Sequence, residues 1–510
     1  MTGLGRTTAV ALVGLTGHVV EVEAHLAASV PGFTLVGLPD ASLAESRDRV
    51  RAAVTSSGVA WPQRRITVNL SPAALPKAGA GFDLAVAVAT LAGAGVCSPR
   101  SVGAATHLGE LGLDGRLRPV RGVLPAVAAS VAAGRHRVVV PYGNLAEARL
   151  VPGAEVVGAV TLRDVLRRHG ADLPEDADVV PVGAEAVGPA PVACSDLADV
   201  VGQEDARRAL EVAAAGGHHL LMVGPPGTGK TMLASRLPGL LPDLDEAAAV
   251  EVTAVHSVSG TFRPADGLVR RPPFEDPHHT ATPAAVVGGG SGLPRPGAAS
   301  RAHRGVLFLD EAPEFSPRVL QTLRQPLEQG ELVIHRAAGA ARFPARFQLV
   351  LAANPCPCGK GAGKGTECSC TSLERRRYFS RLSGPLLDRV DVQVDVLPVT
   401  RVHRAGQEVG ESTAVVAARV RAARDRARQR LAGTPWSSNA EVPGAWLRRQ
   451  AAVPVGVLDR ALDRGVLSLR GVDRVLRVAW TLADLAERER PGAEEVGQAL
   501  LLRTRGQVGA

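Results

Sequence analysis

Aromatic side chains make up only 3% of this 510-residue chain, with two tyrosines and four tryptophans. The shortfall goes with an abundance of Ala, Gly, Val and Arg, a skew that reads as a GC-rich coding sequence rather than a functional signal. Long hydrophobic runs are also missing. The longest, Leu84–Cys97, lies between Asp83 and Pro99 and falls short of the ~20 residues that span a bilayer, which excludes a membrane helix. The amino terminus, Met1–His18, lacks the clustered basic residues and unbroken apolar core of a secretory signal. No internal repeat is found. These absences point to a cytoplasmic protein with no membrane partner.

The chain is too long for one hydrophobic core, so about two to four domains are expected. Hydrophobic residues at 45% and charged residues at 21% are ordinary for a globular protein. A net charge of +8 permits a polyanionic partner such as nucleic acid, although an Arg-rich codon bias gives the same number. Composition separates residues 1–170, which mix short β-type runs (Ile66–Leu70, Arg137–Val140) with Ala-rich helical runs (Leu84–Ala94, Leu124–Ala133). A Pro-, Gly- and acid-rich stretch over 171–191 reads as a linker. A second α/β region spans 192–400, and residues 401–510 read as helical. The first helix there, Glu411–Leu431, carries a run of arginines (419, 421, 424, 426, 428 and 430). Such a run is ordinarily a solvated face, with contact to nucleic acid the alternative.

The chemistry concentrates in the second region. His219–Val223 reads as a short apolar strand running into Gly224-Pro225-Pro226-Gly227-Thr228-Gly229-Lys230-Thr231, after which Met232–Leu237 reads as the start of a helix. This is the context that G-x-x-x-x-G-K-[ST] requires, because glycines let backbone N–H groups turn inward to cradle phosphates. Lys230 is expected to reach the β- and γ-phosphates of ATP, and the Thr231 hydroxyl to ligate Mg²⁺. Downstream, Val306–Leu309 is an apolar strand ending in Asp310-Glu311, at the strand end where α/β sheets hold ligands. Asp310 suits the Mg²⁺ shell, and Glu311 suits activation of the attacking water. A third strand, Phe347–Ala353, ends at Asn354, a polar group placed to orient that water.

These strings, with Pro272–Thr280, Ala302–Glu311, Asn354–Gly359 and Ser383–Asp391, resemble the magnesium-chelatase branch of the AAA+ ATPases, and within it the YifB/ComM family. The resemblance runs over essentially the whole chain. It implies an α/β multidomain fold: a Lon-protease-like N-terminal α/β domain, an AAA+ P-loop α/β domain and a C-terminal helical lid. It further implies a homo-hexameric ring that hydrolyses ATP with Mg²⁺ and acts on DNA as a branch-migration helicase in natural transformation, with no small-molecule substrate beyond ATP. In such rings a neighbour's arginine completes the site; Arg389 resembles that finger, with Arg381 as runner-up. Arg470 resembles the lid arginine that senses the γ-phosphate, with Arg474 one turn on as the alternative. Val258–Pro296 and a hairpin of Leu332–Arg336 with Arg342–Leu349 around Gly339 fit the branch's two insertions toward the central channel. There His335, Arg336, Arg342 and Arg346 could grip a phosphate backbone.

Cys356-x-Cys358 and Cys368-x-Cys370 bracket a Gly- and Lys-rich loop. Four thiolates could hold structural Zn²⁺, with free thiols or redox disulfides as alternatives. Cys97 and Cys194 carry no evident chemistry. His278-His279 have no third ligand at a metal's spacing and read as loop residues. The segment from Pro76 through Gly134 resembles the proteolytic domain of Lon, which works with a Ser–Lys dyad. Here the serine position falls in Ala78-Gly79-Ala80-Gly81 and the lysine position near Leu124, while Lys77 and Ser71 do not match the motif. An inactive scaffold or nucleic-acid-binding module is the expectation. Three readings share the ATPase core: a DNA motor, a chelatase-type ATPase that remodels a protein partner for metal insertion, and an ATP-dependent protease. The absent dyad counts against the last.

Overall fold

The computed structural model describes residues 3–504 apart from 38–44, 78, 176–178, 184–194, 291–293, 337–338, 362–367, 383, 399–409, 451–455 and 466. Much of the expected linker, and Cys194, lie outside the described residues.

The N-terminal region is built on a seven-stranded mixed sheet. Strands β1 (Gly3–Val13) and β2 (Thr16–Ala27) form its long central hairpin. β2 also pairs with β4 (Arg65–Ser71), which carries β3 (Gly32–Val36) at the edge. On the other side β1 leads to β5 (Thr106–His107), β6 (Arg137–Pro141) and β7 (Glu155–Ala159). Helix α1 (Ser46–Ser56) and the largely apolar α2 (Asp83–Gly93) cover the sheet, and α3 (Val123–Ala132) packs near its centre. The Ala- and Val-rich composition of α2 suits this burial: residues 83–92 all lie inside the core.

The second region is a five-stranded all-parallel sheet. In chain order its strands are β8 (Leu220–Val223), β9 (Phe274–Glu275), β10 (Val306–Leu309), β13 (Gln348–Ala353) and β14 (Val392–Asp395). In space they run β9-β10-β13-β8-β14. β10 and β13 are buried along their whole length, as parallel strands covered on both faces must be. The first strand in sequence thus sits inside the sheet, between β13 and β14. Connections leave it in opposite directions there, and α/β sheets bind ligands at such switch points.

Strands β11 (Glu331–Arg336) and β12 (Gly339–Pro344) form the expected hairpin, but with different bounds. Gly339 pairs with Arg336 inside the ladder instead of forming the turn, and residues 348–349 belong to β13 in the core sheet. The alternation of small and basic residues around Gly339 gave no turn signal strong enough to fix the register.

The carboxy-terminal region is helical, chiefly α8 (Thr413–Arg430), α9 (Leu469–Leu485) and α10 (Ala493–Thr504). α8 and α9 pack on α4 (Glu204–Gly216), the helix preceding β8. The arginine run of α8 is neither a bare solvated face nor a free basic patch. Arg419 pairs with Glu211 and Glu411, and Arg424 donates to the Ala214 carbonyl at 2.8 Å. Arg430 binds Asp484 and lies 4.4 Å above the Trp480 ring. These arginines dock the helix.

Candidate nucleotide site

Five of the residues singled out in the sequence converge at the carboxyl ends of β8, β10 and β13. The loop after β8 turns through Gly227 and Gly229 at φ of +77° and +90°, where a Cβ would strain the backbone. Space beside Gly227 is open: no atom lies within 4 Å of where its Cβ would stand. Helix α5 begins at Lys230 but ends at Ala234, before a further turn over Leu237–Leu240. The expected longer helix is interrupted at Ser235 and Arg236, where Pro238 offers no N–H to bond back to Ala234.

Lys230 points back into the loop. Its Nζ donates to the carbonyls of Gly224 at 2.6 Å and Pro225 at 2.9 Å, and to Asn354 Oδ1 at 3.3 Å. Burial lowers its pKa, while Asp310 and Glu311 act in the opposite direction. Thr231 Oγ donates to Asp310 Oδ2 at 2.6 Å, so the two oxygens suited to a divalent cation already face one another. Asn354 ends β13, the strand lying between those that carry Lys230 and Asp310, which is why it reaches Lys230. The open loop, the inward ammonium and the paired oxygens fit a Mg²⁺-bound triphosphate.

Glu311 has a φ of +49°, an uncommon conformation for this residue type. Its carboxylate meets His279 Nδ1 at 3.1 Å. The sequence reading gave His279 only a loop role and did not foresee this pairing. Gln203 was missed altogether. It caps α4 with a φ of 58°, and its amide donates to the carbonyls of Thr228 at 3.3 Å and Leu397 at 2.5 Å, tying the phosphate loop to the chain after β14. Only its left-handed position between Gly202 and an acidic helix start could have hinted at this.

Three of the candidate arginines are engaged with carboxylates. Arg389 pairs with Glu328, and burial and the charges of Arg474, Arg470 and Arg324 all lower its pKa. Arg474 is committed to buried Asp391 at 2.9 Å, and Asp391 also meets His218 Nδ1 at 3.2 Å; Arg470 is exposed at the start of α9. Arg381, the runner-up finger, pairs with Glu314 at 3.0 Å. Arg389 thus stands within reach of the charges of Arg470, Arg474 and Arg324.

Cys356, Cys358, Cys368 and Cys370 also come together, with ligand atoms all within 4.8 Å of one another. Sγ separations of 3.3, 3.5 and 3.6 Å are far too long for disulfides. They approach the ~3.8 Å between sulfurs that each stand ~2.3 Å from one tetrahedral zinc. Cys97 is buried, and burial pushes its thiol up to about 11. In the N-terminal region Lys77 is buried and donates to the carbonyls of Gly37 and Pro72, while Leu124 is core. No helix among the described residues is long and apolar enough to cross a membrane.

Comparisons with known proteins agree with this architecture. Residues 196–404 match the family model "Magnesium chelatase, subunit ChlI", residues 22–144 match "Subunit ChlI of Mg-chelatase", and residues 410–503 match its C-terminal model. An uncharacterized protein of Mycobacterium tuberculosis is 52% identical, covering 99% of both chains. Competence protein ComM of Haemophilus influenzae is 41% identical over 96% of this chain and 95% of its own. YifB of Escherichia coli, itself uncharacterized, is 40% identical over 93% of this chain and 92% of its own. A shorter stretch, 27% of this chain, is 33% identical to Lon protease 2 of Bacillus subtilis, over 26% of that protein. An α/β multidomain AAA+ fold with a helical carboxy-terminal region, and matches covering nearly the full chain, place this protein in the YifB/ComM family of magnesium-chelatase-like AAA+ ATPases.

Proposed function

We propose that the chain is an ATP-driven ring motor that acts on DNA in the cytoplasm, a branch-migration helicase promoting recombination during natural transformation. The observation that carries this reading is the 41% identity to a competence protein along nearly the whole chain. Exposed His335, Arg342 and Arg346 on and beside the β11–β12 hairpin add support as polar groups able to meet a phosphate backbone, Arg342 being paired with Glu331 at 3.1 Å; the side chain of Arg336 lies outside the described ones.

In this reading the phosphate loop from Gly224 to Thr231 wraps the triphosphate, and Lys230 exchanges its carbonyl partners for phosphate oxygens. Thr231 and Asp310 hold Mg²⁺, which when bound neutralises charge developing on the phosphates. Glu311 takes a proton from the attacking water, and Asn354 aligns that water. Arg389 of one subunit reaches the site of the next in a hexamer, and Arg470 is the lid arginine that senses the γ-phosphate. The four cysteines hold a structural zinc ion. The N-terminal region, lacking a Ser–Lys dyad, serves as a scaffold or nucleic-acid-binding module.

The test is ATP hydrolysis with and without single-stranded and four-way-junction DNA, with Lys230→Ala as the blank. Stimulation by DNA that disappears in the blank supports the motor. Lys230-dependent hydrolysis indifferent to every DNA overturns it in favour of a chelatase-type ATPase with a protein client.

A further inference from the structure

The four-cysteine loop is built into the nucleotide site. Its first thiol, Cys356, follows Asn354 with only Pro355 between them. The turn beyond brings Gly359 against the phosphate loop: a Cβ there would stand 2.7 Å from the Pro226 ring, and the glycine's φ is +76°. Backbone hydrogen bonds from Lys360 and Gly361 reach the sulfurs of Cys358 and Cys356. Directly after Cys370, Thr371 caps helix α7 (Ser372–Ser380) with a reciprocal Thr371–Glu374 box. From α7, Arg375 donates to Cys368 Sγ at 3.4 Å. Buried Tyr378 hydrogen-bonds the backbone of Asn354, and Arg381 at the helix end pairs with Glu314, in the 3-10 turn that follows Glu311. The sulfur cluster therefore touches three parts of the site: the phosphate loop, the Asn354 strand end and, through α7, the turn after the acidic pair. In sequence, residues 359–367 hold one alanine and otherwise glycine, lysine, threonine and glutamate, so an ion is the component able to fix the loop.

We infer that the four-cysteine knot is a metal-dependent clamp on the ATPase. A zinc ion held by Cys356, Cys358, Cys368 and Cys370 fixes Asn354 and Pro226 relative to each other, so that nucleotide binding and hydrolysis depend on an ion that never touches the nucleotide. This rests on the zinc reading above.

The experiment uses the full chain. Zinc content is measured by elemental analysis, and nucleotide affinity by titration with a fluorescent ATP analogue. Zinc is stripped with a mercurial and a chelator, both are removed by gel filtration, and Mg²⁺ is then restored. The expected result is one zinc per chain. Stripping weakens nucleotide affinity about tenfold and hydrolysis by on the order of tenfold to a hundredfold, the scale of a small misplacement of site groups, and added zinc restores both. Gly359→Ala keeps all four thiols and its zinc but presses on Pro226, and it weakens nucleotide affinity on its own. If the stripped chain unfolds, this variant decides. Zinc that comes and goes with no change in affinity or hydrolysis, or Gly359→Ala binding nucleotide like the parent, overturns the clamp and leaves the zinc reading standing. Absence of zinc from protein made in zinc-replete medium overturns both.

Discussion

Glu311 and Lys230 differ in what their loss should do. Glu311 is exposed beside the phosphate loop without contacting it, so Glu311→Gln should leave nucleotide binding intact and slow hydrolysis by ~10²–10⁴-fold, the usual worth of a positioned base. A fluorescent-nucleotide titration beside a phosphate-release assay reads both. Weakened binding with unchanged turnover would reverse the assignment. Arg389 calls for a different test because in the proposed ring it serves a neighbour's site. Arg389→Ala should lower hydrolysis by ~10³-fold. Mixing it with equally inactive Lys230→Ala chains should restore activity, because an intact Arg389 then faces an intact Lys230 across a subunit boundary. Two dead variants that stay dead when mixed in every ratio would contradict a finger in trans. The residues legible in the sequence were those whose chemistry demands one residue type at one spacing, as at Gly224–Thr231. Gln203 and His279 were illegible because their roles come from where distant segments close on them, at Leu397 and Glu311.

At the scale of elements, the apolar strands and Ala-rich helices were readable because burial on both faces leaves them few polar positions. The β1–β2 hairpin escaped: Gly, Thr, His and Glu interrupt its residues, and only the ladder over Gly3–Ala27 shows them as strands. The α8 arginines were counted correctly, but their partners Glu211 and Asp484 lie far away in sequence. The junction of α9 with β14 rests on Asp391, fully buried between Arg474 and His218; burial pushes its carboxyl up, but the Arg474 charge and the His218 hydrogen bond together hold it well below the usual carboxylate range. Asp391→Asn should destabilise the fold by ~3 kcal/mol or more, read as a lowered denaturant midpoint, since it leaves Arg474 without its buried partner. In the N-terminal sheet, burial and neighbouring His169 push the His107 ring down to about 3. An unfolded histidine takes its proton near ~6.5, so between these values the unfolded chain binds more protons. Stability from His107 is therefore complete above that range and drains as pH falls through it, by up to ~1.4 kcal/mol per unit. His107→Gln should flatten the acid side of the melting profile, and an unchanged slope would assign the loss to other groups.

Over the whole molecule, the N-terminal sheet and the ATPase sheet meet through α6 (Glu246–Ser259). Its Ser257 donates to Glu147 at 2.5 Å, the Gly122 amide donates to the Ser257 carbonyl at 3.3 Å, and Ala254 enters the N-terminal core. The β1–β2 turn at Gly14 also abuts Arg342 of the hairpin. Movement of the hairpin during an ATP cycle would therefore be felt by the N-terminal region, which fits a motor whose three parts work on one polymer. The most direct test is a labelled four-way DNA junction incubated with the full chain, ATP and Mg²⁺, with Lys230→Ala in parallel. The account predicts that the junction is resolved into two duplexes only by the parent chain and only while ATP is hydrolysed. Brisk, Lys230-dependent hydrolysis that leaves the junction unmoved would contradict it.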